Sequence, residues 1–279
     1  KTIVRELNLD DTKYKPAMLA SRISYAKNCL VTPGAYLANA SFGAEDRRMQ
    51  IPEFGNIYNI YCARCKRNGA MDFDDLLLQT NILLRDCPDV TARYQEQFKY
   101  ILVDEYQDTN TAQFKLVSLL ARKYHNLCVV GDDDQSIYKF RGANIRNILN
   151  FKEYFPEAEI IKLEQNYRSK SNILDAANAV IKNNSGRMDK SLWTEQDAGD
   201  KIAFNVYETG YAEAEGIAFG IEKNINDGYA YNDCAILYRT NAQSRAIEEK
   251  LLGHNIPYRI YGGINFFSRQ GVKDILAYF

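Results

Sequence analysis

Two short apolar runs, each stopped by carboxylates, limit what this chain can fold into. Tyr100-Ile-Leu-Val103 runs into Asp104-Glu105-Tyr106-Gln107-Asp108-Thr109, and Leu127-Cys-Val-Val130 runs into Gly131-Asp-Asp-Asp-Gln135. Runs of this kind read as buried strands of a parallel sheet, where ligands gather beyond the carboxyl ends. Between them, Thr109 to Lys123 places Phe114, Val117, Leu120 and Ala121 on one helical stripe. Strand, helix, strand is a βαβ unit, for which a right-handed crossover is expected. Adjacent Asp104 and Glu105 can divide two tasks at that edge: one carboxylate holds a metal through water, the other orients or deprotonates an attacking water. A bare Asp-Glu pair is more simply a solvated turn. Here the second run delivers Gln135 and the ring-and-cation cluster Tyr138-Lys-Phe140-Arg141 to the same edge.

Four blocks in this order resemble the UvrD/Rep/PcrA-type superfamily 1 DNA helicases. Asp104-Glu105-Tyr106-Gln107-Asp108-Thr109-Asn110 looks like their Walker B motif, and Gly131 to Ala143 looks like the motif that follows it. Leu163-Glu-Gln-Asn-Tyr167-Arg168-Ser169 and Leu237-Tyr-Arg239-Thr-Asn241-Ala-Gln-Ser-Arg245 agree as well, so the resemblance runs along nearly the whole chain. It implies an α/β fold of the P-loop NTPase type. Two RecA-like parallel-sheet motor domains, both incomplete, would follow a helical insertion. The expected division is 1–71 for part of the insertion, 72–163 for the first motor domain without its P-loop part, and 164–279 for part of the second.

The resemblance also assigns roles. Asp104 would hold Mg²⁺, Glu105 would position the water, and Gln135 would report on the γ-phosphate of ATP. Arg168 would act as an arginine finger, and Tyr167 would stack on the adenine. Phosphoryl transfer to water needs these parts: a metal, a positioned water and cations against the developing charge. Single-stranded DNA would meet Tyr138, Phe140 and Arg141, with Arg239 and Asn241 on its backbone, since bases stack on rings and phosphates pair with cations. Most members carry Trp where this chain has Phe140, which leaves a smaller stacking area.

One departure matters for activity. No Gly-x-x-x-x-Gly-Lys-Ser/Thr occurs in the sequence, so the phosphate cradle and its lysine are missing. Gly262 to Arg269 looks family-like, but Gly271 stands where an acidic residue is usual. The expected parent is an ATP-dependent 3′–5′ DNA helicase of repair and replication, acting on single strands and on junctions with duplex. These residues alone are expected to fold at least in part but not to hydrolyse ATP, and an uncovered sheet edge would favour self-association. Alternatives are the helicase portion of a recombination helicase–nuclease, or a non-catalytic DNA-binding module that lacks the P-loop. The close spacing from Ile101 to Asn241 speaks against the former.

Composition adds limits. At 46% hydrophobic and 25% charged, the chain has the balance of a globular protein. No apolar run approaches the roughly 18 residues of a membrane span. The net charge of −1 supplies no global field toward nucleic acid, so any such binding must be local. Six dispersed cysteines, of which only Cys62 and Cys65 have ligand spacing, fit reduced thiols in the cytoplasm better than a tetrahedral metal site. The chain opens on Lys1, which is expected inside a longer protein.

Elsewhere the pattern predicts helices over 21–28 and 54–68, with a break at Thr32-Pro33-Gly34. It predicts a helix from Asp72, an N-cap, with Phe73, Leu76, Leu77 and Ile82 facing inward. Further helices are expected over 144–155, from Ser169 or Ser171, over 212–226, over 244–252 with Asn241 capping, and over 272–279. Strands are expected at 159–163, 202–207, 234–238 and 257–261.

Overall fold

The computed structural model describes residues 1–139, 142–261 and 278. Phe140 and Arg141, the stretch around Gly262 to Arg269, and the helix expected over 272–279 (Tyr278 apart) lie outside the described residues. The chain divides into two compact units, Lys1–Gly199 and Asp200–Phe279.

The first unit begins with helices α1 (Thr2–Glu6), α2 (Pro16–Asn28), α3 (Pro33–Ala38), α4 (Ala40–Arg48) and α5 (Phe54–Arg67). Their apolar faces close one core around Val4, Leu19, Ile23, Tyr36, Phe54, Ile57 and Tyr58. The expected break is present, since α2 ends at Asn28, and the next helix is capped by Thr32. Its hydroxyl accepts from Ala35 N at 3.3 Å, and Pro33 at the first helical position is preset for the helix.

Helix α6 (Phe73–Asp86) opens on a capping box between Asp72 and Asp75, as the sequence leads one to expect. Its buried face is not the predicted one. Phe73 is 92% exposed, and Asp75, Leu78, Asn81 and Leu84 point inward. The cause is Lys27 of α2, which is 0% exposed and pairs with Asp72 at 2.7 Å and Asp75 at 2.8 Å. A buried cation needs its carboxylates inside with it. Burial works against its charge, yet those two bonds hold the ammonium pKa above its usual value.

After α7 (Pro88–Gln97) come β1 (Ile101–Val103), α8 (Thr111–Ala121) and β2 (Leu127–Val129). The two strands pair in parallel, Ile101 with Leu127 and Val103 with Val129. Val103, Leu127 and Val129 pack against Tyr106, Phe114, Ile148 and Phe151, while Leu102 and Cys128 on the other face are exposed. The helix expected over 144–155 is two, α9 (Arg146–Leu149) and α10 (Phe151–Tyr154). Asn150 separates them and donates its side-chain amide to Glu153 at 2.9 Å, local bonding that competes with helix continuation. Helix α11 (Ser171–Ile181) has Lys170, not a serine, at its N-cap, with no side-chain cap bond.

Residues 164–199, which the sequence reading groups with the second motor domain, lie in the first compact unit. Met188 N donates to Asp133 at 2.7 Å, and Arg187 and Lys190 pair with Asp134 and Asp132.

The second unit contains α12 (Gly210–Asn226) and α13 (Asn241–Gly253), packed through Ala218, Ile221, Leu251 and Ile256. Among the described residues, none of the strands expected at 159–163, 202–207, 234–238 or 257–261 forms. Phe204 and Leu237 are 89% and 90% exposed. An apolar run becomes a strand only when a neighbour meets its N–H and C=O groups, and these runs have no such neighbour among the described residues. In place of the pair of parallel sheets expected, the described residues form one two-stranded sheet, in the first unit, and are otherwise mostly helical. No described helix is long and apolar enough to cross a membrane.

Candidate functional site

Where β1 ends, the backbone turns sharply. Glu105 has φ 51° and ψ 40°, a left-handed conformation that costs a side-chain-bearing residue about 1–2 kcal/mol. Several bonds hold it there. Asp104 Oδ1 accepts from Glu105 N at 2.9 Å, Gln107 Nε2 donates to Glu105 Oε2 at 2.8 Å, and Tyr106 N continues the sheet by donating to Val130 O at 2.9 Å. The next residues, Tyr106–Asp108, form a 3-10 turn, and Asn110 caps α8 in a capping box with Gln113.

Gln107 is the centre of this arrangement. It is 1% exposed, and its other side-chain atom, Oε1, accepts from Asp132 N at 3.0 Å. One amide thus joins the turn after β1 to the turn after β2. The approach is so close that a Cβ on Gly131 would stand 2.6 Å from Gln107 Oε1 and 2.9 Å from Ile148 Cδ1. Asp132 in turn accepts from Gln135 Nε2 at 2.8 Å and from Asp134 N at 3.0 Å. Burial pushes the Asp132 carboxyl upward, but bonds from Lys190 and Gln135 outweigh it and leave the pKa below the usual value. Bonds from Arg187 hold Asp134 low despite its burial.

Asp104, Glu105 and Gln135 are therefore linked through Gln107 and Asp132. Tyr167 and Arg168 sit on a separate loop, and their own bonds run elsewhere. Tyr167 Oη donates to Gln165 Oε1 at 2.9 Å, and Arg168 N donates to Asn166 Oδ1 at 2.9 Å. Both side chains are exposed, Tyr167 by 78%. Tyr138 is partly exposed, and its carbonyl accepts from Ala143 N at 3.3 Å. In the second unit, Arg239 and Asn241 are exposed. Asn241 is the first residue of α13 rather than its cap. The cap is Thr240, which forms a capping box with Gln243.

Two acidic groups are candidates for a metal. Asp132, Asp133 and Asp134 offer oxygens within 4.8 Å of one another. They do not fit a cation as they stand, because Lys190 pairs with all three and Arg187 with Asp134. Asp104 fits better: it is an exposed hard-oxygen ligand at the strand's carboxyl end, with one oxygen taken by Glu105 N. Burial pushes the neighbouring Asp108 carboxyl up, with the Glu105 charge adding to it, and Asp108 Oδ1 is buried without a hydrogen-bond partner. Burial lifts the Cys62 thiol to about 11, and among the described residues Cys62 and Cys65 belong to no group of three or more metal-ligating side chains.

Sequence reasoning assigned no part to Gln107, Arg187 or Lys190. An amide two residues beyond an Asp-Glu pair is a local signal that was available. The two cations are not, because they lie 53–58 residues from their partners in a stretch that reads only as polar.

The model of the UvrD/REP helicase N-terminal domain matches residues 1–156, and that of the UvrD-like helicase C-terminal domain matches 161–279. A protein of Leuconostoc citreum named ATP-dependent DNA helicase PcrA is 48% identical over 279 residues, covering 100% of this chain and 36% of that protein. Proteins of the same name from Staphylococcus epidermidis and Staphylococcus aureus are 49% identical over 278 residues, each covered to 37%. The chain thus spans little more than a third of the length of these curated relatives. With the carboxylate turns at the ends of β1 and β2 and family matches along both parts of the sequence, the chain belongs to the UvrD/Rep family of helicases.

Proposed function

We propose that the chain supplies the end of a helical insertion (1–71), the later part of a first motor domain (72–163) and the first part of a second (164–279). The parent would be an ATP-driven 3′–5′ DNA helicase, working in the cytoplasm on single strands and duplex junctions during repair and replication. The observation that carries this reading is the pair of hydrogen bonds at Gln107, whose Nε2 donates to Glu105 and whose Oε1 accepts from the Asp132 backbone. Through it, the group set against the water and the turn bearing Gln135 move as one.

In this reading Glu105 orients the attacking water, and Gln135 exchanges its bond to Asp132 for one in which its amide N–H donates to a γ-phosphate oxygen, leaving its carbonyl oxygen free to accept from the water. Arg168 places positive charge against the transition state. The exposed ring of Tyr167 is open for adenine to stack on. Asp104 would hold Mg²⁺, which would supply positive charge against the phosphates. DNA follows Tyr138, Phe140 and Arg141, and its backbone meets Arg239 and Asn241.

A DNA-binding module without catalysis is the second reading, compatible with these 279 residues because they hold no Gly-x-x-x-x-Gly-Lys-Ser/Thr. Strand-displacement assays on the full-length gene product, with 3′-tailed and 5′-tailed duplexes, separate the two. The expected result is ATP- and Mg²⁺-dependent opening of the 3′-tailed substrate, lost in Glu105→Gln with ATP binding kept. DNA binding without ATP hydrolysis would overturn the motor reading. The isolated 279 residues should release no more phosphate than their Glu105→Gln variant.

A further inference from the structure

The polar segment from Arg187 to Trp193 has no part in the reading above, yet it is bonded at both ends to pieces of the site. At one end, Arg187 sets Nε and Nη2 on the two oxygens of Asp134 at 2.8 and 2.6 Å. Met188 N donates to Asp133 Oδ2 at 2.7 Å, and Lys190 reaches Asp132 and Asp133. At the other end, Ser191 N donates to Glu164 Oε1 at 2.9 Å and Trp193 N to Glu164 O at 3.0 Å, while Trp193 O accepts from Asn166 N at 2.7 Å. Asn166 Oδ1 then accepts from Arg168 N and Ser169 N at 2.9 and 2.8 Å. The middle is braced on α11, where Asn178 bonds both Leu192 O at 2.8 Å and Leu192 N at 3.2 Å.

We infer that Arg187 and Lys190 are positioning residues, and that 187–193 is a strut coupling the Gln135 turn to the loop that carries Tyr167 and Arg168. The bidentate Arg187–Asp134 pair fixes orientation as well as distance. The side chains of Arg187 and Lys190 are each 17% exposed, so water and salt screen these pairs less than they screen surface pairs. Three carboxylates against two cations leave no spare cation to replace one that is lost. A displacement of the Gln135 turn is therefore carried through the strut backbone to Asn166, and from there to the amide of Arg168. The catalytic meaning of this coupling rests on the proposed hydrolysis; the coupling itself rests on the bonding.

The test has two arms, both on the full-length gene product. In hydrogen exchange read by mass spectrometry, Arg187→Gln and Asp134→Asn should each raise exchange at residues 164–169, although neither substitution lies there. Asp134→Asn keeps the side-chain shape and guards against a variant that does not fold. The combined swap of Arg187→Asp with Asp134→Arg should restore protection. Unchanged exchange at 164–169 in both single variants overturns the strut. In DNA-stimulated ATP hydrolysis, each single variant should lower kcat and kcat/KM together, on the order of 10- to 100-fold, as misplaced groups do. A lower melting temperature with kcat unchanged would mean the cluster only stabilises the fold, which also overturns it. If the wild-type protein hydrolyses no ATP, the functional reading fails, and the exchange arm alone decides the strut.

Discussion

Gln107 Nε2 lies 2.8 Å from Glu105 Oε2, a contact made from a side chain that is itself buried. The same amide holds Asp132 N through Oε1. A hydrophobic residue of similar length would fill the space; the exposed Glu105 carboxylate would turn to water, but the part-buried Asp132 N–H would be left unmet, and an unmet buried polar group costs about 1–3 kcal/mol. Gln107→Leu should therefore lower stability in urea unfolding by roughly that amount, and should reduce DNA-stimulated hydrolysis in the full-length protein by more than the melting shift explains. Wild-type hydrolysis in this variant would show that the two turns do not need their link.

Glu105 sits in a backbone conformation that glycine adopts freely. Glu105→Gly and Glu105→Val both lose the bond from Gln107, so their difference reports the backbone alone, and the valine, β-branched at a positive φ, should melt lower than the glycine. Both should fail in hydrolysis. Thermal unfolding of the two variants side by side checks the point, and equal melting of the two would remove the strain argument.

Gly131 has no room for a side chain, with Gln107 Oε1 and Ile148 Cδ1 both under 3 Å from a Cβ built there. Gly131→Ala should cost about 1–3 kcal/mol in unfolding free energy through overpacking. A neutral result would mean that the turns part easily.

Lys27 lies buried between Asp72 and Asp75, with its ammonium 5.0 Å from the centre of the Tyr61 ring. Lys27→Met removes the cation and leaves two partly buried carboxylates facing each other, a loss on the order of 3–5 kcal/mol. Adding Asp72→Asn and Asp75→Asn to that variant should recover part of the loss, because the stranded charges are then gone. Denaturant unfolding of the single and triple variants measures both steps.

His254 bonds Glu222 through Nδ1 at 2.9 Å and Glu215 through Nε2 at 3.2 Å, and these bonds, first to Glu222 and then to Glu215, raise its pKa above the usual value. A raised folded-state pKa means that the protonated ring stabilises the fold. That stabilisation is complete below the unfolded-state pKa of about 6.5 and fades as pH rises through the folded-state value. Melting at about pH 5.5 and about pH 8.5 should differ more for the wild type than for His254→Gln, once carboxylate effects common to both cancel. An equal pH response in the two proteins would show that the bridge contributes nothing.

Residues near in sequence wrote much of this protein directly. The apolar runs at 101–103 and 127–129, the helix between them, and the carboxylates beyond are all visible in order, because strand length, helical period and turn chemistry are local properties. The Asp72 cap was legible for the same reason. What the sequence could not decide was which neighbours complete each element. The runs at 202–207 and 234–238 have strand character, but a strand exists only when another strand bonds to it. Phe73 and Leu76 have the hydrophobicity for a core, yet buried Lys27, far away in sequence, turned Asp75 inward in their place. Arg187 and Lys190 stand in a stretch that is merely polar in sequence, and only the fold lays them on Asp132, Asp133 and Asp134. Local chemistry set what each segment could be; the tertiary structure chose its partners, because burial leaves no charge or backbone group free to stay unpaired at low cost.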